Sequence, residues 1–396
     1  MSHSRILEDF VWSDLDRKMV FLGGPRQVGK TTLARRLLER AGGGAYFNWD
    51  NRDHRKRILA GEWPPETPLV VLDELHKQPG WKSRLKGLWD TRPDGQKMMV
   101  TGSSRLDVFR RGGDSLMGRY HYWRLHPFSA AELEGFPATS VADIFPKAPP
   151  PPDFSRSSSA VPDLFRLGGF PEPFLAGSER TLNRWRTERL ERLFREDIRE
   201  VERARELGRV ELLAALLPAR VGSPLSMNSL VEDVEASNKT IKAWVDLLAR
   251  NYYAFSVPPW HKRVERALKK DAKIYLWDWS EVREEGPRFE NMVASHLLKW
   301  CHFWRDCHGV NAELRYVRDT AKREVDFLLV WDNTPWMLVE CKLSSPGPLN
   351  ALQRFGEALG VKERYMVTLT GDRDFLDRDT GVRVIPAAWF LPGMGV

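Results

Sequence analysis

The run Gly24-Pro25-Arg26-Gln27-Val28-Gly29-Lys30-Thr31 fits every fixed position of the phosphate-loop pattern G-x-x-x-x-G-K-[ST]. Glycines let such a backbone curl until its N–H groups converge on phosphate oxygens. A helix expected to start at Thr32 adds the positive end of its dipole, and Thr32 completes the expected cofactor-binding set. Lys30 is placed to reach the β- and γ-phosphates and Thr31 to put its hydroxyl on Mg²⁺. Downstream, Leu69-Val70-Val71-Leu72-Asp73-Glu74 is an apolar strand that ends in two acids. Asp73 can hold Mg²⁺ through water, and Glu74 can polarise an attacking water. The chemistry these residues predict is hydrolysis of a triphosphate, with ATP and Mg²⁺ as cofactors.

A second constellation lies near the other end of the sequence, in Val325-Asp326-Phe327 and Val339-Glu340-Cys341-Lys342. Side chains alternate along a strand, so Glu340 and Lys342 share a face, and a short turn at residues 332–335 folds Asp326 back towards them. Charged groups on otherwise apolar strands are costly unless paired, hydrated or bound to metal. Two carboxylates and a lysine can therefore meet on one face of a hairpin.

The elements that must carry these residues follow from apolar pattern and punctuation. Residues 19–125 alternate strand and helix, with strands at 19–22, 44–49, 69–72 and 98–101, the pattern of a parallel sheet. Residues 145–160, with Pro149-Pro150-Pro151-Pro152 and Ser157-Ser158-Ser159, read as a connecting linker. A long charged helix is expected over 179–206. Three short helices within 209–257, one capped by Ser226 and one by Ser237 or Asn238, precede the strand-like Tyr252-Tyr253-Ala254-Phe255, the outline of a winged helix. A strand at 274–277, a helix near Arg288 and strands at 313–318, 324–330 and 336–343 complete the pass.

The loop, the Asp73-Glu74 pair and the strand ending at Thr101 or Ser103 resemble the AAA-type ATPases over about residues 1–135. The resemblance implies that Ser103 or Thr101 senses the γ-phosphate. It also implies that Arg119, in Leu116-Met117-Gly118-Arg119, faces a neighbouring subunit's nucleotide, with Arg105, Arg110, Arg111 and Arg124 as competitors. Asp326 followed by Glu340-x-Lys342 resembles the PD-(D/E)XK nuclease superfamily, whose acids bind Mg²⁺ and whose lysine positions water; the resemblance implies Asp326, Glu340 and Lys342 as catalytic residues and Asp326 and Glu340 as metal ligands, joined by Glu290 of Arg288-Phe289-Glu290-Asn291 in the place of the acid that the family often adds from a preceding helix. The order of parts, with Gly168-Gly169-Phe170-Pro171-Glu172 between them, resembles a prokaryotic family of AAA ATPases with a nuclease-like carboxy-terminal domain. The fold class expected is α/β: a parallel-sheet P-loop ATPase domain at 1–135, a linker and helical lid at 136–208, a winged helix at 209–260 and a restriction-endonuclease-like α/β domain at 261–396.

Composition sets outer bounds. A net charge of +7, from 61 basic against 54 acidic residues, permits a polyanionic partner without requiring one. Asn238-Lys239-Thr240 with Lys242, and the basic run His261, Lys262, Arg263, Arg266, Lys269, Lys270 and Lys273, are candidate contacts for nucleic acid, DNA being the expectation. No apolar run of membrane-spanning length is present, no secretory signal is read at the start, and three cysteines cannot frame a disulfide scaffold, which fits a cytoplasmic location. Cys301-His302 and Cys307-His308 lack zinc-ligand spacing and read as core. The resemblance also allows homo-oligomers built through the ATPase domain. The reading is an ATPase that gates a Mg²⁺-dependent DNA nuclease-like domain; the alternative is an ATP-switched DNA- or protein-binding factor whose nuclease-like fold is catalytically silent.

Overall fold

The computed structural model describes residues 4–103, 106, 116–136, 148–198, 204–261, 271–344 and 346–396. Arg105, Arg110, Arg111, Lys262, Arg263, Arg266, Lys269, Lys270 and residues 145–147 lie outside the described residues. Backbone proximity divides the chain into two units, residues 1–126 and 127–396.

The first unit runs α1 (Glu8–Leu15), β1 (Met19–Gly23), α2 (Lys30–Arg40), β2 (Ala45–Asn48), α3 (Arg52–Ala60), β3 (Leu69–Asp73), α4 (Trp81–Asp90), β4 (Lys97–Thr101) and β5 (Tyr120–Arg124). All five strands are parallel, in the order β2-β3-β4-β1-β5. Every residue of β1 and β3 is buried, as continuous apolar runs between crossover helices require. Phe21, Phe47, Leu72, Leu85 and Val100 belong to one apolar core on this sheet. The register pairs Asn48 with Asp73, Asp73 with Thr101, and Leu22 with Thr101. The carboxyl ends of β2, β3, β4 and β1 therefore share one edge, where ligands of open parallel sheets are held. β5 is an additional strand that the apolar pattern does not announce: only Tyr122 and Trp123 of its five residues are buried.

The second unit begins with α5 (Ala130–Leu133), α6 (Val161–Leu167), α7 (Pro171–Ala176) and α8 (Glu179–Arg192). The long helix expected over 179–206 changes to a wider turn at Leu193–Ile198. Then come α9 (Ala204–Leu216), α10 (Met227–Val234), α11 (Asn238–Arg250), and β6 (Ala254–Val257) antiparallel to β7 (Lys273–Leu276). Ser226 and Ser237 cap α10 and α11 by accepting from the N–H of Ser229 and Thr240. The remainder is α12 (Glu285–His308), β8 (Ala312–Arg318), β9 (Glu324–Trp331), β10 (Thr334–Lys342), α13 (Asn350–Leu359), β11 (Glu363–Thr368), β12 (Phe375–Asp377), β13 (Val382–Pro386) and α14 (Ala387–Gly393).

Those last strands form a six-stranded mixed sheet ordered β12-β13-β11-β10-β9-β8. β8, β9 and β10 are antiparallel, whereas β10, β11 and β13 are parallel, with α13 as the crossover between β10 and β11. The proline-rich stretch does more than connect. Phe154 stacks on Phe390 at 5.8 Å between ring centroids, and the Asp153 and Ser158 N–H groups donate to Gly393 and Ala388 carbonyls. Two aromatic rings and two backbone donors give it a fixed path over α14. Among the described residues, no helix is long and apolar enough to cross a membrane.

Candidate functional site

The phosphate loop leaves β1 at Gly23 and enters α2 at Lys30. Gly24 has φ +150° and Gly29 φ +102°, conformations that side chains rarely tolerate. A Cβ on Gly24 would stand 2.5 Å from the Leu125 carbonyl oxygen, so only glycine lets the loop pass this close to the residue after β5. Lys30 is buried, and its ammonium donates to the carbonyls of Gly24 at 2.9 Å and Pro25 at 2.7 Å, across the inside of the curl. Arg5 ties the loop down from outside by donating to the Val28 carbonyl at 3.0 Å.

Asp73, at the end of β3, is buried and held on both oxygens. Thr101 donates to Oδ1; Tyr46 and the Asn48 amide donate to Oδ2. Burial and the neighbouring Asp73 push the Tyr46 hydroxyl up to about 12, while its bond to Thr31 opposes the shift. Thr31 and Asp73 are thus joined through one phenol. A hydroxyl and a carboxylate so placed fit a hard cation that keeps most of its waters, so these are the residues that would hold Mg²⁺. Tyr46 and Asn48 escaped the sequence reading; their signal is two polar side chains alternating on the strand beside Asp73.

Glu74 turns the chain at φ +57°, and its Oε2 is buried without a hydrogen-bond partner among the described residues, 3.5 Å from His76 Nε2. Burial raises its carboxyl above the usual range, opposed first by the charge of Lys30 and then by that of Lys77, whose ammonium is 3.8 Å away. That coupling brings Glu74 and Lys30 to the same loop. Of the two expected sensors, Thr101 bonds Asp73; Ser103 is buried two residues past the strand's last pair. Arg119 lies at the opposite edge of the sheet: its carbonyl accepts from Met19 N–H, at the start of β1, and its guanidinium grips Asp90 at 2.8 and 3.1 Å. Arg124, not Arg119, pairs with Gly23 next to the loop.

The second unit gathers the other constellation differently from the sequence expectation. Asp326 on β9 accepts at 3.0 Å from the N–H of Cys341 on β10, and Lys342 donates to Glu340 at 2.9 Å. Glu290, on α12, accepts from the Tyr275 hydroxyl at 2.6 Å. Between Glu290 and Asp326 stands Lys273 of β7, whose ammonium is 3.1 Å from Glu290, 3.3 Å from Asp326 and 2.7 Å from Glu324. Burial, then the Asp326 charge, push Glu290 up to about 8 and Glu340 up to about 7. Among the described residues no group of three or more histidine, cysteine, aspartate or glutamate side chains is arranged to hold a metal ion. Of the expected ligand set, Glu290 and Asp326 share the Lys273 ammonium and Glu340 faces that of Lys342. Lys273 and Glu324 were missed as members of the cluster. A lysine heading the apolar run Ile274-Tyr275-Leu276 was the available signal, because so buried a lysine requires acids.

The AAA domain family matches residues 16–134. Two families, each described as a domain of unknown function (DUF8612 and DUF4143), match residues 159–282 and 285–390. The uncharacterized proteins Rv2008c of Mycobacterium tuberculosis and Mb2031c of Mycobacterium bovis are each 24% identical over 266 residues, which is 66% of this chain and 54% of theirs. The alignment therefore spans about half the length of those relatives. Among solved structures, the Walker-type ATPase of Pyrococcus abyssi aligns with 69% of this chain and 93% of its own at 14% identity and TM-score 0.41. The RuvB Holliday junction branch migration motor of Thermotoga maritima aligns over 65% and 90% at 17% identity and TM-score 0.31. With its parallel sheet, glycine-curled loop and Asp73-Glu74 pair, the amino-terminal part of this chain is a P-loop AAA-type ATPase domain.

Proposed function

We propose that this chain binds and hydrolyses ATP at residues 24–31, and that the resulting switch controls nucleic-acid binding, with DNA as the polymer, by its second unit. The observation that carries the ATPase reading is the assembly of Lys30, Thr31, Asp73, Glu74 and Thr101 around one curled loop. With nucleotide present, Lys30 exchanges the Gly24 and Pro25 carbonyls for β- and γ-phosphate oxygens, and the loop N–H groups close on the same phosphates. Thr31 and Asp73 are the residues that would hold Mg²⁺, which would supply charge neutralisation on the phosphate oxygens. Glu74, desolvated and set at the end of β3, orients the attacking water and takes up its proton. Thr101, bonded to Asp73, carries the change in charge at the γ-position into β4.

For the output, α9 to α11 followed by the β6–β7 pair support a winged-helix reading, in which Asn238, Lys239 and Lys242 offer phosphate contacts. The mixed sheet carrying Asp326, Glu340 and Lys342 supports a nuclease-like ancestry. Lys273 between Glu290 and Asp326 favours a fold that binds without cutting. Phosphate release from ATP, measured with and without DNA, tests the first half: turnover is expected, and none at all in the presence of Mg²⁺ would refute it. A salt titration tests the second, since phosphate contacts release counterions and give steep salt dependence. Flat salt dependence, or cleavage of the DNA, would contradict the output reading.

A further inference from the structure

A nuclease-like cluster needs a divalent cation, and this chain supplies a cation of its own. An ammonium has three N–H donors, and Lys273 has three carboxylates within 3.3 Å: Glu290, Glu324 and Asp326. Lys273 is only 1% exposed, so water does not share the work. Glu290 Oε1 accepts from a second donor besides Lys273, and Asp326 is also held on its other oxygen. Tyr275 donates to Glu290 Oε1, and the Cys341 N–H donates to Asp326 Oδ2. The lysine is fixed from its own backbone, where it pairs with Val257 of β6 and bridges to Pro224.

Mg²⁺ asks for oxygens at roughly 2.1 Å in an octahedron; a divalent ion among these acids would sit against a fixed positive charge. The residues do not fit the metal that the nuclease resemblance implies. We infer that Lys273 is the permanent cation of this cluster in place of a divalent metal, and that its three ion pairs clasp β7, and with it the helical module, to α12 and β9. Removing the ammonium leaves three partly buried carboxylates without the cation they share and creates a site for a divalent ion where the native cluster holds Lys273. This deepens the non-cutting reading of the second unit and is independent of ATP hydrolysis.

The test uses the full chain without nucleotide, in an Asp73→Asn background so that the ATPase site contributes nothing, with Mn²⁺ as the probe. Titration calorimetry and thermal melts are recorded for this reference protein, for Lys273→Met, for Asp326→Asn and for the pair Lys273→Met/Asp326→Asn. The reference protein is expected to show no Mn²⁺ response that Asp326→Asn alters. Lys273→Met is expected to melt lower, to take up one Mn²⁺ and to recover melting temperature with it, and adding Asp326→Asn should weaken that uptake at least tenfold. A reference protein that binds Mn²⁺ through Asp326 would overturn the inference, as would a folded Lys273→Met protein that binds none. Should Lys273→Met not fold, the comparison of the reference protein with Asp326→Asn still decides: Asp326-dependent Mn²⁺ uptake refutes it, and its absence supports it. ATP turnover in the Asp73-intact chain is read separately, so failure here leaves the ATPase reading standing.

Discussion

His296 offers a quantitative pH test of how α12 is held within the second unit. Its Nδ1 lies 2.8 Å from the Met292 carbonyl, which can only accept, so Nδ1 carries the proton. Nε2 is then an acceptor, and it takes the N–H of Ala130 at 3.2 Å. Protonating Nε2 would set two donors against each other in a buried place. Burial first, with the Lys299 ammonium adding to it, lowers His296 to about 4 from an ordinary 6.5, although the Met292 bond and Glu132 oppose. Because the folded value lies below the unfolded one, the contribution to stability is complete above pH 6.5 and is lost as pH falls towards 4. A shift of this size corresponds to about 2 kcal/mol lost by pH 5 and about 3 kcal/mol by pH 4. For a unit of this size that is a fall of roughly 4 °C in melting temperature at pH 5. The assay is a series of thermal melts from pH 7.5 to 4.5 on the native chain and on His296→Gln, whose amide oxygen can still accept from Ala130. The native curve should fall more steeply, with the difference opening below pH 6.5. Parallel curves would refute the neutral, buried histidine.

Glu74→Gln keeps the shape of the site but removes the base, so ATP binding should persist while turnover falls about 100-fold or more; equal losses in both would assign Glu74 to binding. Gly24→Ala drives a Cβ against the Leu125 carbonyl at 2.5 Å, and nucleotide affinity should drop at least tenfold in a titration with a fluorescent ATP analogue. Lys299 donates at 2.6 Å to Glu132, whose side chain is fully buried. Lys299→Met should therefore cost about 3–5 kcal/mol in urea unfolding, with much of that loss recovered when Glu132 is also replaced by leucine.

What the sequence made legible is what chain-local chemistry dictates. The strand, loop and helix at 19–40 are contiguous, and the apolar runs ending at Asp73 and Thr101 declare buried parallel strands. β5 was missed because Tyr120-His121-Tyr122-Trp123-Arg124, an edge strand, buries only its middle and carries no apolar run. The proline-rich stretch read as a linker since nothing near it in sequence reveals Phe390 as the ring that Phe154 meets. Tyr46 and Asn48 reach Asp73 only through the β2–β3 register. Lys273 showed the same limit more sharply: it read as one charge in a basic run, whereas β6 pairing and three acids from α12 and β9 make it an interior cation. Local pattern identifies which side chains carry chemistry; register and burial decide which of them meet.

The most direct test of the central claim is calorimetric titration of the full chain with ATP and Mg²⁺, beside the same titration of Lys30→Ala. The loop geometry predicts one nucleotide bound per chain, and its loss when the ammonium that spans the Gly24 and Pro25 carbonyls is removed. An unmodified chain that takes up no ATP, or a Lys30→Ala chain that binds it equally well, would contradict the account.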